Sequence, residues 1–239
     1  MKFEEVESMS TAGVLARVPL FAELSEAQQQ LIAQRMRTRR FRAGERIFYK
    51  DEPGSTLYII VSGKVKIHAP RSDGEELIYD ILGPNEFFGE LSLFDGRERS
   101  ADATAIEDTT ALLLEREHLL ECIERHPHIA IHLLQVVGGR LRDADSIIHA
   151  LASLDVYGRV LKVLIDLARE HGVDTNRGKS LSLRLTQSDL AGYVGSTRET
   201  VNKALSHYRK KGYIAVVRRQ ILIRDLPALQ TELAKRWES

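Results

Sequence analysis

Residues 87–105 read FFGELSLFDGRERSADATA, and they hold the side chains best suited to chemistry in this chain. Gly89 lets a backbone come close to a bound molecule. Glu90 can accept hydrogen bonds from sugar hydroxyls. The short turn after it, ELSLF, offers backbone amides of the kind that hold anions. Arg99 can pair with a phosphate, and Ser100 adds a hydroxyl and an amide. Together these residues suit a sugar phosphate. The same stretch admits a second reading, in which a Glu90–Arg99 salt bridge simply closes an empty β-roll.

A second cluster lies near the other end, in LTQSDLAGYVGSTRETVNKALSHYRKKG. Thr186 is placed to cap a helix running through Tyr193, and Gly195 marks a turn. Ser196 or Thr197 opens a second helix that runs to about Lys211, where Gly212 stops it. Helix, short glycine turn and helix is the layout of a helix-turn-helix. At about 100° per residue, Arg198 and Asn202 lie about 40° apart, as do Glu199 and Lys203. All four can share one broad face directed into a DNA major groove. Arginine can fork onto guanine and glutamate can accept from cytosine. Thr186, Gln187, Ser188, Ser196, Thr197, Thr200 and the basic YRKK run can hold phosphates and set register.

The elements around these clusters follow from pattern. Residues 1–12 read as a tail, and 13–36 as helical, ending in the basic RMRTRR run. Ser25 and Gln28 form a capping-box signal. From Phe41 to about Leu114, short runs rich in Ile, Val, Tyr and Phe are broken by Gly, Pro, Asp and Asn. This predicts an all-β roll. Then Ala130, Leu134, Val137, Leu141, Ala144, Ile148 and Leu151 recur at alternating spacings of four and three, a coiled-coil seam. One such helix per chain needs a partner, most simply a second copy. Gly138 and Gly139 interrupt it, either for close approach of the roll or for lower rigidity. From Asp155 the pattern predicts two helices, a loop around HGVDTNRGKS, the helix-turn-helix, and a small hairpin in YIAVVRRQILIRD. The fold class is therefore α+β, with an N-terminal roll at 13–128, a dimerisation helix at 129–154 and a winged helix-turn-helix at 155–239.

Composition narrows the functional classes. Acidic and basic residues balance at 34 each, so the chain is not a polybasic nucleic-acid binder as a whole. One cysteine, Cys122, excludes an intrachain disulfide framework and a four-cysteine cluster, and it is expected to pack in the core. No run is long enough for a membrane span, and the acidic N-terminus lacks the features of a signal peptide, so a cytoplasmic protein is expected. His126, His128 and His132 in HPHIAIH lack a clustered carboxylate, and no metal site is expected. A cupin-like metalloenzyme is a remote alternative.

On these residues the chain resembles the CRP/FNR family of transcription regulators, in its cyclic-AMP receptor branch. LTQSDLAGYVGSTRETVNKAL is similar to the family's DNA-binding end, FFGELSLFDGRERSADATA to its phosphate-binding cassette, and LDVYGRVLKVL to its hinge. The likeness covers about residues 12–226. It implies a non-enzymatic regulator that dimerises, binds a palindromic double-stranded DNA site and meets RNA polymerase. It assigns Glu90 to a ribose, and Arg99 and Ser100 to a cyclic phosphate, with Gly89, Leu91 and Ala101 flanking. Counting back from Leu154 places Arg140 and Leu141 on a family Arg-Leu pair. The adenine-contacting positions then fall on Ala144 and Asp145, where the best-known member has threonine and serine. Arg198, Glu199 and Lys203 match base-reading positions, the third often arginine in relatives. Cyclic AMP is the implied ligand. Cyclic di-GMP, or action without a nucleotide, is the alternative.

Overall fold

A computed structural model describes residues 10–72, 74–181, 185–217 and 220–237. They fall into two units: residues up to Ala69 with Tyr79–Arg142, and Pro70–Ile78 with the residues from Asp143 onward.

The first unit opens with α1 (Thr11–Leu15), capped by Ser10, and α2 (Glu26–Ala33). The capping box forms: Gln28 Oε1 accepts from Ser25 N at 2.8 Å, and Ser25 Oγ accepts from Gln28 N. The helix does not reach residue 36 as the basic run suggested. Arg37–Phe41 is instead strand β1, antiparallel to the later strand β8 (Thr109–Glu115), and all of its side chains but Phe41 are exposed. The partner strand decides its state, since strand preference is weaker than pairing context.

β2 (Arg46–Phe48), β3 (Thr56–Ser62), β4 (Val65–Pro70), β5 (Glu76–Leu82), β6 (Phe87–Phe88) and β7 (Asp102–Ala105) complete the set. They form two four-stranded sheets, β1-β8-β3-β6 and β2-β7-β4-β5. Strand alternation divides the core in two. Tyr58 and Ile60 of β3 join Phe41, Ile47, Val65, Phe88 and Ala103 in a cluster drawn from both sheets. Leu57 and Ile59 point the other way and join Leu15, Ile32, Leu119 and Ile129 from the helices and Phe21 from the turn between α1 and α2. Cys122 lies in that second cluster, as a packed residue. α3 (Leu91–Asp95) and α4 (Arg116–Arg125) lead to the long α5 (His128–Ser153).

On α5, Ile129 and Leu133 are buried, whereas Leu134, Leu141 and Ile148, each seven apart, are 67%, 63% and 64% exposed. In this chain nothing requires glycine at 138 or 139: a Cβ at Gly138 would meet only the Arg142 side chain, at 3.7 Å, and Gly139 faces open space.

In the second unit the expected pair of helices is one 16-residue helix, α6 (Val156–His171). The expected loop after it is a hairpin, β9 (Gly172–Thr175) and β10 (Gly178–Leu181). Its strands are short and polar, so they show no apolar alternation. They exist because β10 pairs with β12 (Gln220–Ile223), in a sheet ordered β11-β12-β10-β9 with β11 at Ile214–Val217. Between them lie α7 (Gln187–Val194) and α8 (Arg198–Lys210). A last helix, α9 (Leu226–Trp237), packs on α6 and was not foreseen from pattern. The β4–β5 residues of this unit close over α7: a Cβ at Gly192 would lie 2.9 Å from the Glu76 carbonyl oxygen and from Ile78.

Candidate nucleotide and DNA sites

The turn before α3 needs glycine, because Gly89 sits at φ +80°. Glu90 follows at the N-cap of α3 but does not cap it. Its carboxylate, 2% exposed, goes instead to Arg140 on α5, whose Nη1 donates to Oε1 at 2.5 Å. Arg140 Nη2 donates to the Phe87 carbonyl at 2.5 Å, and the guanidinium lies over the Phe87 ring. The Glu90–Arg99 bridge is thus not the pair that forms. One cation from α5 is clamped to the strand and turn that open the cassette.

Arg99 is 5% exposed and held by the protein on several sides. Nη1 donates to the Gly89 carbonyl at 2.6 Å and to Ser92 Oγ at 2.9 Å, and Nη2 donates to the Thr56 carbonyl at 2.9 Å. The guanidinium also lies 4.4 Å from the Phe48 ring centre. Its Nε is buried without a hydrogen-bond partner. Burial lowers its pKa from the usual arginine range, and the nearby Tyr58 and Glu90 oppose that shift. A Cβ at Gly54 would fall 2.2 Å from this Nε, so only glycine fits there. Gly54, Thr56, Ser92 and Phe48 were not read as site residues. A Pro-Gly turn at 53–54 is a local pattern in the sequence, but what it packs against depends on the fold. Ser100 and Leu91 are exposed, while Ala101 is buried. Burial also pushes the Glu86 carboxyl up, although the Gly83 amide donates to it at 2.6 Å.

The structure brings Gly89, Glu90, Arg99 and Arg140 together. Ala144 and Asp145 are exposed on α5, four and five residues beyond Arg140.

The helix-turn-helix forms through local signals. Thr186 Oγ1 accepts from Asp189 N, and Asp189 Oδ2 accepts from Thr186 N at 2.9 Å. Gly195 ends α7 at φ +65°, and Thr197, rather than Ser196, caps α8 by accepting from Thr200 N. Val201, Ala204 and Tyr208 turn inward, while Arg198, Glu199 and Lys203 are exposed. Lys203 Nζ lies 2.6 Å from Glu199 Oε1, which lowers the glutamate pKa and raises that of the lysine. Asn202 donates to Gln187 Oε1 at 3.0 Å, so it braces one helix on the other. Thr186, Gln187 and Ser188 stand exposed at the start of α7. Of the YRKK run, Tyr208 is buried and Lys211 is paired with Glu232 at 3.0 Å. That leaves Arg209 and Lys210 outward.

The histidines take structural contacts: the His126 and His128 rings meet tilted, the His128 and His132 rings meet edge to face, and His132 lies 3.4 Å from Glu23. No helix among the described residues is long and apolar enough to cross a membrane.

The cyclic nucleotide-binding domain family matches residues 38–126, and the Crp-like helix-turn-helix domain family matches 158–232. A CRP-like cAMP-activated global transcriptional regulator of Mycobacterium tuberculosis is 37% identical over 212 residues, 89% of this chain and 95% of that one. The chain belongs to the CRP/FNR family. The Cyclic AMP receptor protein of Thermus thermophilus is 34% identical with the same coverage. A solved c-di-GMP responsive global regulator of Xanthomonas campestris superposes with a TM-score of 0.74 at 25% identity, over 83% of this chain and 99% of that one. This CRP/FNR chain is thus a DNA-binding transcription regulator, not an enzyme. It joins a cyclic nucleotide-binding domain to a helix-turn-helix.

Proposed function

We propose that the protein is a cytoplasmic homodimer that reads a palindromic DNA site under the control of a cyclic nucleotide, with cyclic AMP as the ligand. In this reading the chain comprises a roll at 13–128, a dimer helix at 129–154 and a winged helix-turn-helix from 155. The observation that carries the reading is the Glu90–Arg140 pair. It ties a buried carboxylate of the cassette to the helix whose exposed seam offers a second copy Leu134, Leu141 and Ile148. Burying a leucine or isoleucine of this kind contributes about 1.5–3 kcal/mol.

In this reading Glu90 accepts from the ribose, and Arg99 and Ser100 hold the phosphate, with Gly89, Leu91 and Ala101 beside them. The unpartnered Arg99 Nε supports an anion there, because a buried donor without an acceptor is unfavourable. Arg140, Ala144 and Asp145 meet the base side from α5. Nucleotide then acts by binding more tightly to the state whose recognition helices are about one DNA turn, 34–36 Å, apart. Arg198, Glu199 and Lys203 read bases. Thr186, Gln187, Ser188, Ser196, Thr197 and Thr200 hold phosphates, with Asn202 bracing Gln187. RNA polymerase is the further partner.

The Mycobacterium and Thermus relatives support cyclic AMP. The exposed Asp145, able to accept from guanine as well as adenine, and the likeness to the Xanthomonas regulator favour cyclic di-GMP as the second reading. Calorimetric titration with cyclic AMP, cyclic GMP and cyclic di-GMP, each followed by DNA binding at one salt concentration, tests both. Saturable cyclic AMP binding that tightens DNA binding is expected. If none of the three binds, the pocket assignment is wrong.

A further inference from the structure

The link between α5 and α6 is two residues long, Leu154 and Asp155. Asp155 caps α6, its Oδ1 accepting from Gly158 N at 2.7 Å. A carboxylate has sites for further donors. Arg236, one residue from the end of α9, fills them: its Nη1 donates to Oδ1 at 2.9 Å and to Oδ2 at 2.8 Å. Its guanidinium also lies over the ring of Tyr157, in the first turn of α6. The next residue, Trp237, stacks on His149 near the end of α5, with ring centres 4.8 Å apart and planes at 23°. Two successive residues of one helix therefore hold the two sides of the same link.

α9 is itself firmly seated. Asp225 accepts from Ala228 N at 2.9 Å at its start, and Leu229 is fully buried. Glu232 takes Lys211 at 3.0 Å, just past the end of the recognition helix α8. α8 in turn is anchored on α6, where Tyr208 Oη donates to the Tyr157 carbonyl at 3.0 Å. One helix thus touches the end of α5, the start of α6 and the end of α8. Any change of angle at Leu154–Asp155 must break either the Arg236–Asp155 contact or the Trp237–His149 stack, or must shift α9 and lift its own Leu229 out of the core.

We propose that α9 is a strap across the α5–α6 link, with Arg236 and Trp237 as positioning residues that set the angle at which the recognition helix is presented. The geometry stands by itself; its regulatory purpose rests on the nucleotide-controlled reading above. Asp155 is exposed and Arg236 partly so. Such a pair contributes little to overall stability, so the strap acts on orientation and local opening rather than on whether the unit folds.

Hydrogen exchange on the full-length protein decides the matter, comparing wild type with Arg236→Gln and His149→Ala. The second variant removes the stack and leaves the Asp155 contact. The expected result is exchange faster by roughly two- to fivefold at residues 153–159 in both variants, the range a partly exposed contact supports, with α7 and α8 unchanged. Unchanged exchange at the link in both variants overturns the proposal. Faster exchange throughout the unit overturns it too, because α9 would then be a core element and not a strap. Trp237 is the only tryptophan of the chain, so its emission reports the stack directly. DNA affinity with and without saturating cyclic AMP completes the test: Arg236→Gln narrows the ratio seen in wild type. If wild type shows no such ratio, the nucleotide reading falls, and the exchange comparison still judges the strap.

Discussion

Arg140→Met separates the electrostatic part of the proposed nucleotide site from its packing. In the native chain the Glu90 side chain is 3% exposed and that of Arg140 is 31% exposed. Two charges about 4 Å apart attract by about 4 kcal/mol at an effective dielectric of about 20. Water around the half-open arginine weakens this, which leaves about 2–3 kcal/mol as the expected loss in Arg140→Met, where a buried carboxylate stays without its cation. Adding Glu90→Gln removes the stranded charge. The double variant should therefore recover roughly 1–2 kcal/mol relative to additivity. Urea unfolding followed by circular dichroism, at one protomer concentration because association adds to apparent stability, measures this. Trp237 lies in the second unit, so a transition seen by circular dichroism and not by its fluorescence belongs to the roll. A single variant within about 0.5 kcal/mol of wild type, as for an ordinary surface change, would refute the reasoning, and so would strict additivity of the two substitutions.

Other perturbations follow from the same geometry. Gly54→Ala drives a methyl into the Arg99 guanidinium and should abolish nucleotide binding in calorimetry while the chain still folds; unimpaired binding would show that Arg99 is not the phosphate ligand. Arg198→Ala should weaken specific DNA binding by about 1–3 kcal/mol and relax preference at one base pair; a retained preference in a binding-site selection removes it from the recognition set. Tyr208→Phe takes away the donor to the Tyr157 carbonyl and should destabilise the second unit by about 1 kcal/mol in thermal melts. Hydrogen bonding from Lys211 lowers the Glu232 pKa, so the pair stabilises above the ordinary carboxylate range and that contribution fades as pH falls through the lowered value. Lys211→Met should flatten this acid limb by at most about 1 kcal/mol, because the pair is near the surface; an unchanged limb would assign the slope to other groups.

Short-range physics is what the chain announced in its letters. A capping residue and its partner are three positions apart, so Ser25 with Gln28 and the starts of α7 and α8 were readable, as were Gly195 and Gly212 at helix ends. The i, i+3, i+4 stripe on α5 and the Gly-Glu and Arg-Ser pairs of the cassette are likewise local patterns. Tertiary structure decided everything that depends on a distant partner. β1 became a strand, and the β9–β10 hairpin replaced a loop, because strands from far along the chain, β8 and β12, met β1 and β10. Glu90 took Arg140, 50 residues away, in place of the nearer Arg99, because α5 passes the cassette and brings a cation to a carboxylate already out of water. Arg236 found Asp155 across 81 residues for a similar reason. Composition and spacing name which groups can pair. Only packing brings them within the few ångströms at which a charge or a hydrogen bond acts.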